Sequence, residues 1–363
     1  VDATSMSSGT YGATLNMAAE ANASVVIKGG AGADVLTISQ SDLAESVTAG
    51  AGADNIVYAS ANLTSIDVID GGAGTDTMMQ SDDTAMVDAD FTNVTNVEVL
   101  SANAAGINVL ATIGAEAMEA GIRTVTFVDV GAATDSVTVG AGFTAALTVN
   151  LDSDATGINT VDATAYTGSL SVVATAANMD TRSNALTGGT GTDTLTVTSS
   201  GADDTIRVDA ITLFENINLI DDGDATADTL TIALADASVA DGATLTIDAS
   251  GLTTDDATID LSADTNGNNV YNGGAGVDTI TLSASDLADS ITTNAGIDII
   301  NFASANLTSI DVINGGAGVD IMNVTDDVAI VDADFTNVTS VETLSSATGI
   351  STIVTLGAEA MGA

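Results

Sequence analysis

The chain has no cysteine, histidine, proline or tryptophan among its 363 residues. Without cysteine there are no disulfides and no thiol chemistry, which says little about compartment. Without histidine there is no HExxH zinc-protease motif and no Ser-His relay, so hydrolase chemistry of those kinds is excluded. Positive charge is almost as scarce. Lys28, Arg123, Arg182 and Arg207 face 50 acidic residues, for a formal net charge of -46. A surface of that sign repels nucleic acid and anionic lipid unless a cation bridges them, and four scattered cations are a poor basis for holding an anionic polysaccharide. No run approaches the 18 or more apolar residues of a membrane span, so membrane insertion is not expected. Aromatics are only 3% while hydrophobic residues reach 45%, much of it alanine, which suits a long narrow core. The amino terminus shows no cleavable signal, and the chain opens on Val1 and closes inside a repeat. It therefore reads as a segment of a longer repeat protein.

What the sequence does contain is a set of glycine-aspartate turns at near-constant spacing. The first block runs from Gly29 to Leu100. Its turns are GGAGAD at 29–34 (Gly29, Gly30, Gly32, Asp34), AGAGAD at 49–54 (Gly52, Asp54), and GGAGTD at 71–76 (Gly71, Gly72, Gly74, Asp76), the last preceded by Asp70. The block returns as Gly273 to Leu344, an offset of 244 (273 minus 29). There the turns are GGAGVD (Gly273, Gly274, Gly276, Asp278), NAGID (Gly296, Asp298) and GGAGVD (Gly315, Gly316, Gly318, Asp320). The two intervals between aspartates are the same in both blocks, since 34, 54 and 76 are spaced as 278, 298 and 320 are. A further full motif, GGTGTD at 188–193, supplies Gly188, Gly189, Gly191 and Asp193.

Each full turn fits G-G-x-G-x-D-x-U-x, with U a large apolar residue. Glycine permits the tight reversal, backbone carbonyls turn inward, and aspartate adds a hard carboxylate oxygen. Calcium takes six to eight such oxygens. The U residues Leu36, Leu195 and Ile280 each open a short strand in which apolar and small polar residues alternate. If coils stack at about 4.8 Å, unit charges roughly 5 Å apart repel by about 3 kcal/mol at an effective dielectric near 20. Stacked carboxylates therefore call for cations or protons. Halving the net charge would take about 12 calcium ions, counting formal charge only. The alternative is a set of ordinary Gly-Asp hairpin turns on a plain sandwich.

Three similar starts, VDAT at 1–4, VDAT at 161–164 and IDAS at 247–250, divide the chain into units. These are 1–160 with the calcium block at 29–100, a shortened unit at 161–246, and 247–363 with the calcium block at 273–344. At about 20 residues per coil the whole would make roughly 18 coils and up to about 85 Å. A second ladder is suggested by Asp42 and Asn62, spaced as Asp34 and Asp54 are, and by Asp286 and Asn306. Turn-stabilising side chains are the preferred reading there. Glu98, Glu215 and Glu342 end related apolar strands and read as solvated acids. A helical turn is expected at 114–120, and strands in TVTFVDV, SVTVG and ALTVNL. Acidic clusters at Asp152 and Asp154, Asp203 and Asp204, and Asp221 to Asp228 read equally as cation sites or solvated turns. DTNGNN at 264–269 lacks the glycine and distal glutamate of an EF-hand.

The glycine motifs resemble the RTX repeats of proteins exported by type I secretion. Their order, a full motif, a looser turn, a second full motif and a V-E-x-L strand, is most similar to Gram-negative bacterial surface-layer (S-layer) proteins of the Caulobacter type. The close likeness covers about half the chain: 29–100, 273–344 and a reduced form at 188–219. Coils this long depart from the tandem nonapeptides of toxin-type RTX proteins. The resemblance implies a secreted, extracellular cell-surface location, multiple calcium ions and self-assembly.

The expectation is an all-β, calcium-binding parallel β-solenoid or β-roll-like repeat, elongated, with no enzymatic activity. The function expected is structural, as a calcium-dependent segment of a surface layer. The alternative is an RTX adhesin or biofilm-matrix stalk. Expected partners are copies of itself and a cell-surface polysaccharide reached through a region outside this segment.

Overall fold

The computed structural model describes residues 1–6, 9, 11–41, 43–104, 106–128, 134–151, 157–180, 184–351 and 353–362. Asp42, Asp152, Asp154 and Arg182 lie outside the described residues. The fold is an all-β parallel β-solenoid: every described strand pair runs parallel, and successive strands of each sheet come from successive coils. Two compact units form, one of Val1–Val173 with Ala185–Thr192, the other of Ala174–Asn184 with Asp193–Ala363.

The strands are short because glycine-aspartate turns interrupt them, and they form because their residues alternate. Thr194–Thr198, TLTVT, buries Leu195 and Val197 and turns its threonines outward. That two-residue period puts one apolar residue per coil at the same place, and parallel register stacks them. In the first unit Leu36, Ile56, Met78, Leu100, Val125, Val149 and Val172 form one such column, all fully buried. Each such side chain contributes about 1.5–3 kcal/mol by leaving water. In the second unit Ile206, Ile232, Ile259, Ile280, Ile300 and Met322 do the same.

The first unit contains a long sheet from Thr14–Asn16 to Leu170–Thr175, with eight strands. Facing it are a four-stranded sheet from Val26–Lys28 to Val94–Thr95 and strands of a second from Leu110–Ile113 to Ala185–Thr187. The second unit has seven strands from Thr194–Thr198 to Val338–Thr339 and seven from Asp204–Arg207 to Thr343–Ser346. The eight strands of the first unit's long sheet and the seven of the second fall short of the roughly 18 coils expected at about 20 residues per coil, because many coils are longer than that. Val35 pairs with Asn55 across a coil of the expected size, whereas the coil that pairs Asn216 with Thr246 is half as long again. The longer coil accommodates the one-turn 3-10 helix Asp236–Ser238.

The expected helical turn is the α-helix Ala115–Ala120, stopped by Gly121 at φ 112°. Asp88 caps it. Its Oδ1 accepts the amides of Gly114 and Ala117 at 2.7 and 3.0 Å, and its Oδ2 accepts Glu116 at 3.2 Å. Asp332 accepts the corresponding amides of Gly357, Ala360 and Glu359 in the second unit at 2.7, 3.0 and 3.3 Å, where 358–362 form a turn and not a helix. Strands Thr124–Thr126, Ser136–Val139 and Leu147–Asn150 fall where expected. The helix Ala176–Asp180 and the 3-10 turns Asp88–Phe91 and Asp332–Phe335 are additions that the sequence reading lacks.

Candidate metal centre

In the first unit each glycine-aspartate turn carries the chain from one sheet to the next, for example from Val26–Lys28 to Val35–Thr37. The aspartate has the same parity as the U residue two positions on, so its side chain points inward. Asp34, Asp54, Asp76, Asp193, Asp278, Asp298 and Asp320 are all at most 1% exposed.

Within each unit these carboxylates stack and reach back by one coil. Asp34 Oδ1 accepts the amide of Ala13 at 2.5 Å, Asp54 Oδ1 that of Asp34 at 2.7 Å, and Asp76 Oδ1 that of Asp54 at 2.8 Å. Glu98 Oε2 then accepts the amide of Asp76 at 2.8 Å. The second unit repeats the arrangement. Asp278 takes Ala257, Asp298 takes Asp278, Asp320 takes Asp298, and Glu342 takes Asp320, at 3.0, 2.8, 2.9 and 2.9 Å. Asp193 donates its amide to Glu215 at 2.7 Å. The three glutamates are therefore the end members of the ladders through one oxygen each, Glu98 and Glu215 half-buried and Glu342 still exposed to solvent. The signal was in the spacing: each glutamate lies as far beyond its aspartate as Asp76 lies beyond Asp54.

The glycines make this stacking possible by close approach. A Cβ on Gly29 would stand 2.3 Å from Asp34 Oδ2, and one on Gly273 would stand 2.4 Å from Asp278 Oδ2. The first glycine of the motif leaves room for its own turn's carboxylate. The other glycines stack against carbonyls of the coil below. A Cβ on Gly72 would meet Gly50 O at 2.0 Å, and on Gly74 would meet Gly52 O at 1.6 Å; both residues also have left-handed φ, 96° and 142°. Gly30, Gly32 and Gly52 approach the carbonyls of Met6, Tyr11 and Gly32 in the same way. Gly274, Gly276, Gly316 and Gly318 approach those of Leu252, Asp255, Asn294 and Gly296. Gly71 and Gly315 face the Oδ2 atoms of Asp76 and Asp320, and Gly296 faces Asp298 Oδ1. Gly188 and Gly189 are buried in the first unit, where Gly189 lies against Tyr166 O and Gly191 against Gly168 O; Asp193 belongs to the second unit. Asp70 stands apart, half-buried on its strand and accepting the side-chain amide of Asn96 at 2.8 Å.

The electrostatics of the columns are unfavourable as hydrogen bonding alone leaves them. The second oxygens of Asp54, Asp76, Asp298 and Asp320 are buried with no hydrogen-bond partner. Asp34 and Asp278, first in each block, use theirs to accept Gly30 and Gly274 amides at 2.6 and 2.9 Å. Burial pushes Asp76 up to about 6, against the partial relief of the Asp54 amide and with the charges of Asp54, Glu98 and Asp70 adding to the rise. Burial likewise pushes Asp278 up to about 6 and raises Asp54, Asp298 and Asp320. A buried carboxylate with an orphaned oxygen needs a proton or a cation.

The donor set fits a hard cation: orphaned carboxylate oxygens beside columns of closely stacked glycine carbonyls. No three acidic side chains converge on one point among the described residues, so backbone oxygens would make up most of any coordination shell. Asp54, Asp76, Asp298 and Asp320 are the acids best placed to take part.

A second acid column occupies the other corner of the coils. Asp67 Oδ1 accepts the Glu45 amide and Asp311 Oδ1 the Asp289 amide, both at 2.8 Å, and all four acids are buried. The suggested Asp286–Asn306 ladder does not form this column, since Asp286 is exposed. The acidic run at 221–228 is mostly exposed, with Asp221 held well below the usual carboxylate range by Thr253, Gly223 and Thr254. A 230 Å3 pocket lined by Met322, Phe335, Val338, Leu344 and Leu356 contains one acid, Glu342. No helix among the described residues is long and apolar enough to cross a membrane.

No protein-family model matches this chain, and neither curated proteins nor solved structures include a match to it.

Proposed function

We propose that this chain is a structural, calcium-dependent segment of a bacterial surface layer or similar extracellular array, built on glycine-aspartate turns that take calcium. One observation carries the reading: buried, stacked aspartates, four of them with an orphaned oxygen, in both copies of the block. Bound calcium would supply divalent positive charge to the columns. The chain's own residues contribute the rest: aspartates clamp each coil to the one before, glycines admit the close approach, and the apolar columns exclude water. The -46 charge adds support, because cation uptake would relieve self-repulsion along with the local columns.

Lateral assembly has its own support. Leu43, Ile66 and Val68 are exposed on one corner of the first unit, and Leu287, Ile310 and Val312 repeat them in the second at the offset that relates the two blocks. Repeated apolar side chains on a strongly acidic surface suit regular contacts between copies of the chain, with calcium lowering the repulsion. The test is electron microscopy of the native assembly with calcium and with excess chelator, alongside circular dichroism. Loss of the ordered array and of the β spectrum on chelation is the expected result. An unchanged array and spectrum would reject the proposal.

A further inference from the structure

The corner between Val35–Thr37 and Ser46–Ala51 lies away from the glycine turns and is enclosed by polar side chains. Ser39, Ser41, Glu45 and Asp67 are each at most 4% exposed. Glu45 Oε1 accepts the Ser39 hydroxyl and, at 3.2 Å, the Ser39 amide. Asp67 accepts the Glu45 amide on Oδ1, and the Thr64 amide and hydroxyl on Oδ2 at 2.8 and 3.1 Å. Glu45 Oε2 has no partner, although it is enclosed.

The second unit supplies an internal comparison. Ser283, Thr308, Asp289 and Asp311 stand at the block offset from Ser39, Thr64, Glu45 and Asp67. There both oxygens of the equivalent acid are occupied: Asp289 Oδ2 accepts the Ser283 amide at 3.0 Å and Oδ1 accepts the Asn269 side-chain amide at 3.4 Å. Asn269 occupies the place of Val25 in the first unit. A hydrocarbon cannot donate, and the acid is a glutamate whose extra methylene carries its second oxygen further. The donor that closes the second corner is missing from the first.

We propose that the Glu45–Asp67 corner is a calcium site distinct from the glycine-aspartate turns, formed in the first unit alone because Asn269 fills the equivalent place in the second. Two carboxylates and the Ser39 hydroxyl offer an all-oxygen set of charge -2, which favours a hard divalent cation over softer metals. Each carboxylate oxygen has a second lone pair, so the existing hydrogen bonds do not exhaust Asp67. The competing account is a permanently protonated Glu45.

The test counts bound calcium per intact chain by native mass spectrometry and by elemental analysis after dialysis. Glu45→Gln should lose one ion relative to wild type, Asp289→Asn should lose none, and the double variant Asn269→Val/Asp289→Glu, which rebuilds the first corner in the second unit, should gain one. If Glu45→Gln keeps the wild-type count, the acid is neutral and the site is overturned, because glutamine mimics a protonated carboxyl. If Glu45→Gln fails to fold, the double variant Asn269→Val/Asp289→Glu decides: one added ion supports the site and an unchanged count overturns it. Asp54→Asn and Asp76→Asn separate this inference from the functional proposal. Losses in those variants with none in Glu45→Gln sink only the new site. A loss in Glu45→Gln with none in the turn variants sinks only the glycine-turn reading.

Discussion

The backbone amide of Asp76 donates to the carboxylate of Glu98 at 2.8 Å, and Asp320 donates to Glu342 at 2.9 Å in the same relation. In each unit a glutamate thus follows a run of three aspartates as the last acceptor of the column. The longer side chain reaches an amide from a coil whose turn lacks the glycine motif. Glu98→Ala should leave a buried amide unsatisfied and cost roughly 1–3 kcal/mol, whereas Glu98→Gln, which keeps an acceptor, should cost less. Urea denaturation with hydrogen exchange at the Asp76 amide measures both. Equal stabilities for wild type and Glu98→Ala would show that the bond contributes nothing.

Asp76→Asn and Asp320→Asn remove one charge each from the third turn of their blocks with little change in size. Each substitution should raise the calcium concentration needed to order its own block and spare the other, because repeat contacts are mainly between neighbours. Hydrogen exchange across both blocks during a calcium titration reads this directly. Ordering of the altered block at the wild-type calcium concentration would refute a metal role for these two acids.

Acidity should act in the unexpected direction when calcium is removed. Burial raises Asp76, Asp278 and Asp289 to about 6 from an ordinary value of 3.8. Between those values the folded chain binds more protons than the unfolded one, so their contribution is present at low pH and is lost as pH rises through about 6. The calcium-free protein should therefore keep or regain β structure with a measurable melting transition at pH 5, where protons take the place of the cation, and lose it toward pH 7.5. With calcium in excess the dependence should flatten or reverse, since the metal needs the ionised form. Melting curves at both pH values, with and without chelator, check the sign. Below about pH 4 the trend should turn again, because Asp326 and Asp332 are held below their ordinary value and lose hydrogen bonds on protonation.

Gly74→Ala adds a methyl 1.6 Å from a backbone oxygen at a left-handed φ, so the coil must open. Gly106→Ala adds one at φ 85° with nothing within 4 Å. The second should cost about 1–2 kcal/mol from backbone strain alone, and the first distinctly more. Comparable denaturation midpoints for the two variants would show that the stacked carbonyls yield easily.

The parts of the fold that follow from local chemistry were legible in the sequence. Leu36, Leu195 and Ile280 open the strands read for them, and the regular spacings of the aspartates became inward columns. Gly121 ends the helix where the pattern placed it. What escaped depends on coil-to-coil register, which a single window cannot contain. Glu98 looks like a strand-face acid until Asp76 is placed beneath it. Glu45 and Asp67 carry no glycine frame, so nothing local distinguished them from surface acids. The long coil between Asn216 and Thr246 broke the regular count, because the residues that lengthen it have ordinary turn composition.

The back-reaching bonds give every column a polarity. In both blocks the acceptor belongs to the later coil and the donor to the earlier one. A partly formed stack therefore has two chemically different ends: the end awaiting its next coil presents a bare amide, while the opposite end presents a bare carboxylate. Two growing ends of the same kind cannot satisfy each other. A coil stacked upside down, like face against like face, is rejected by hydrogen-bond type, before side-chain shape is consulted.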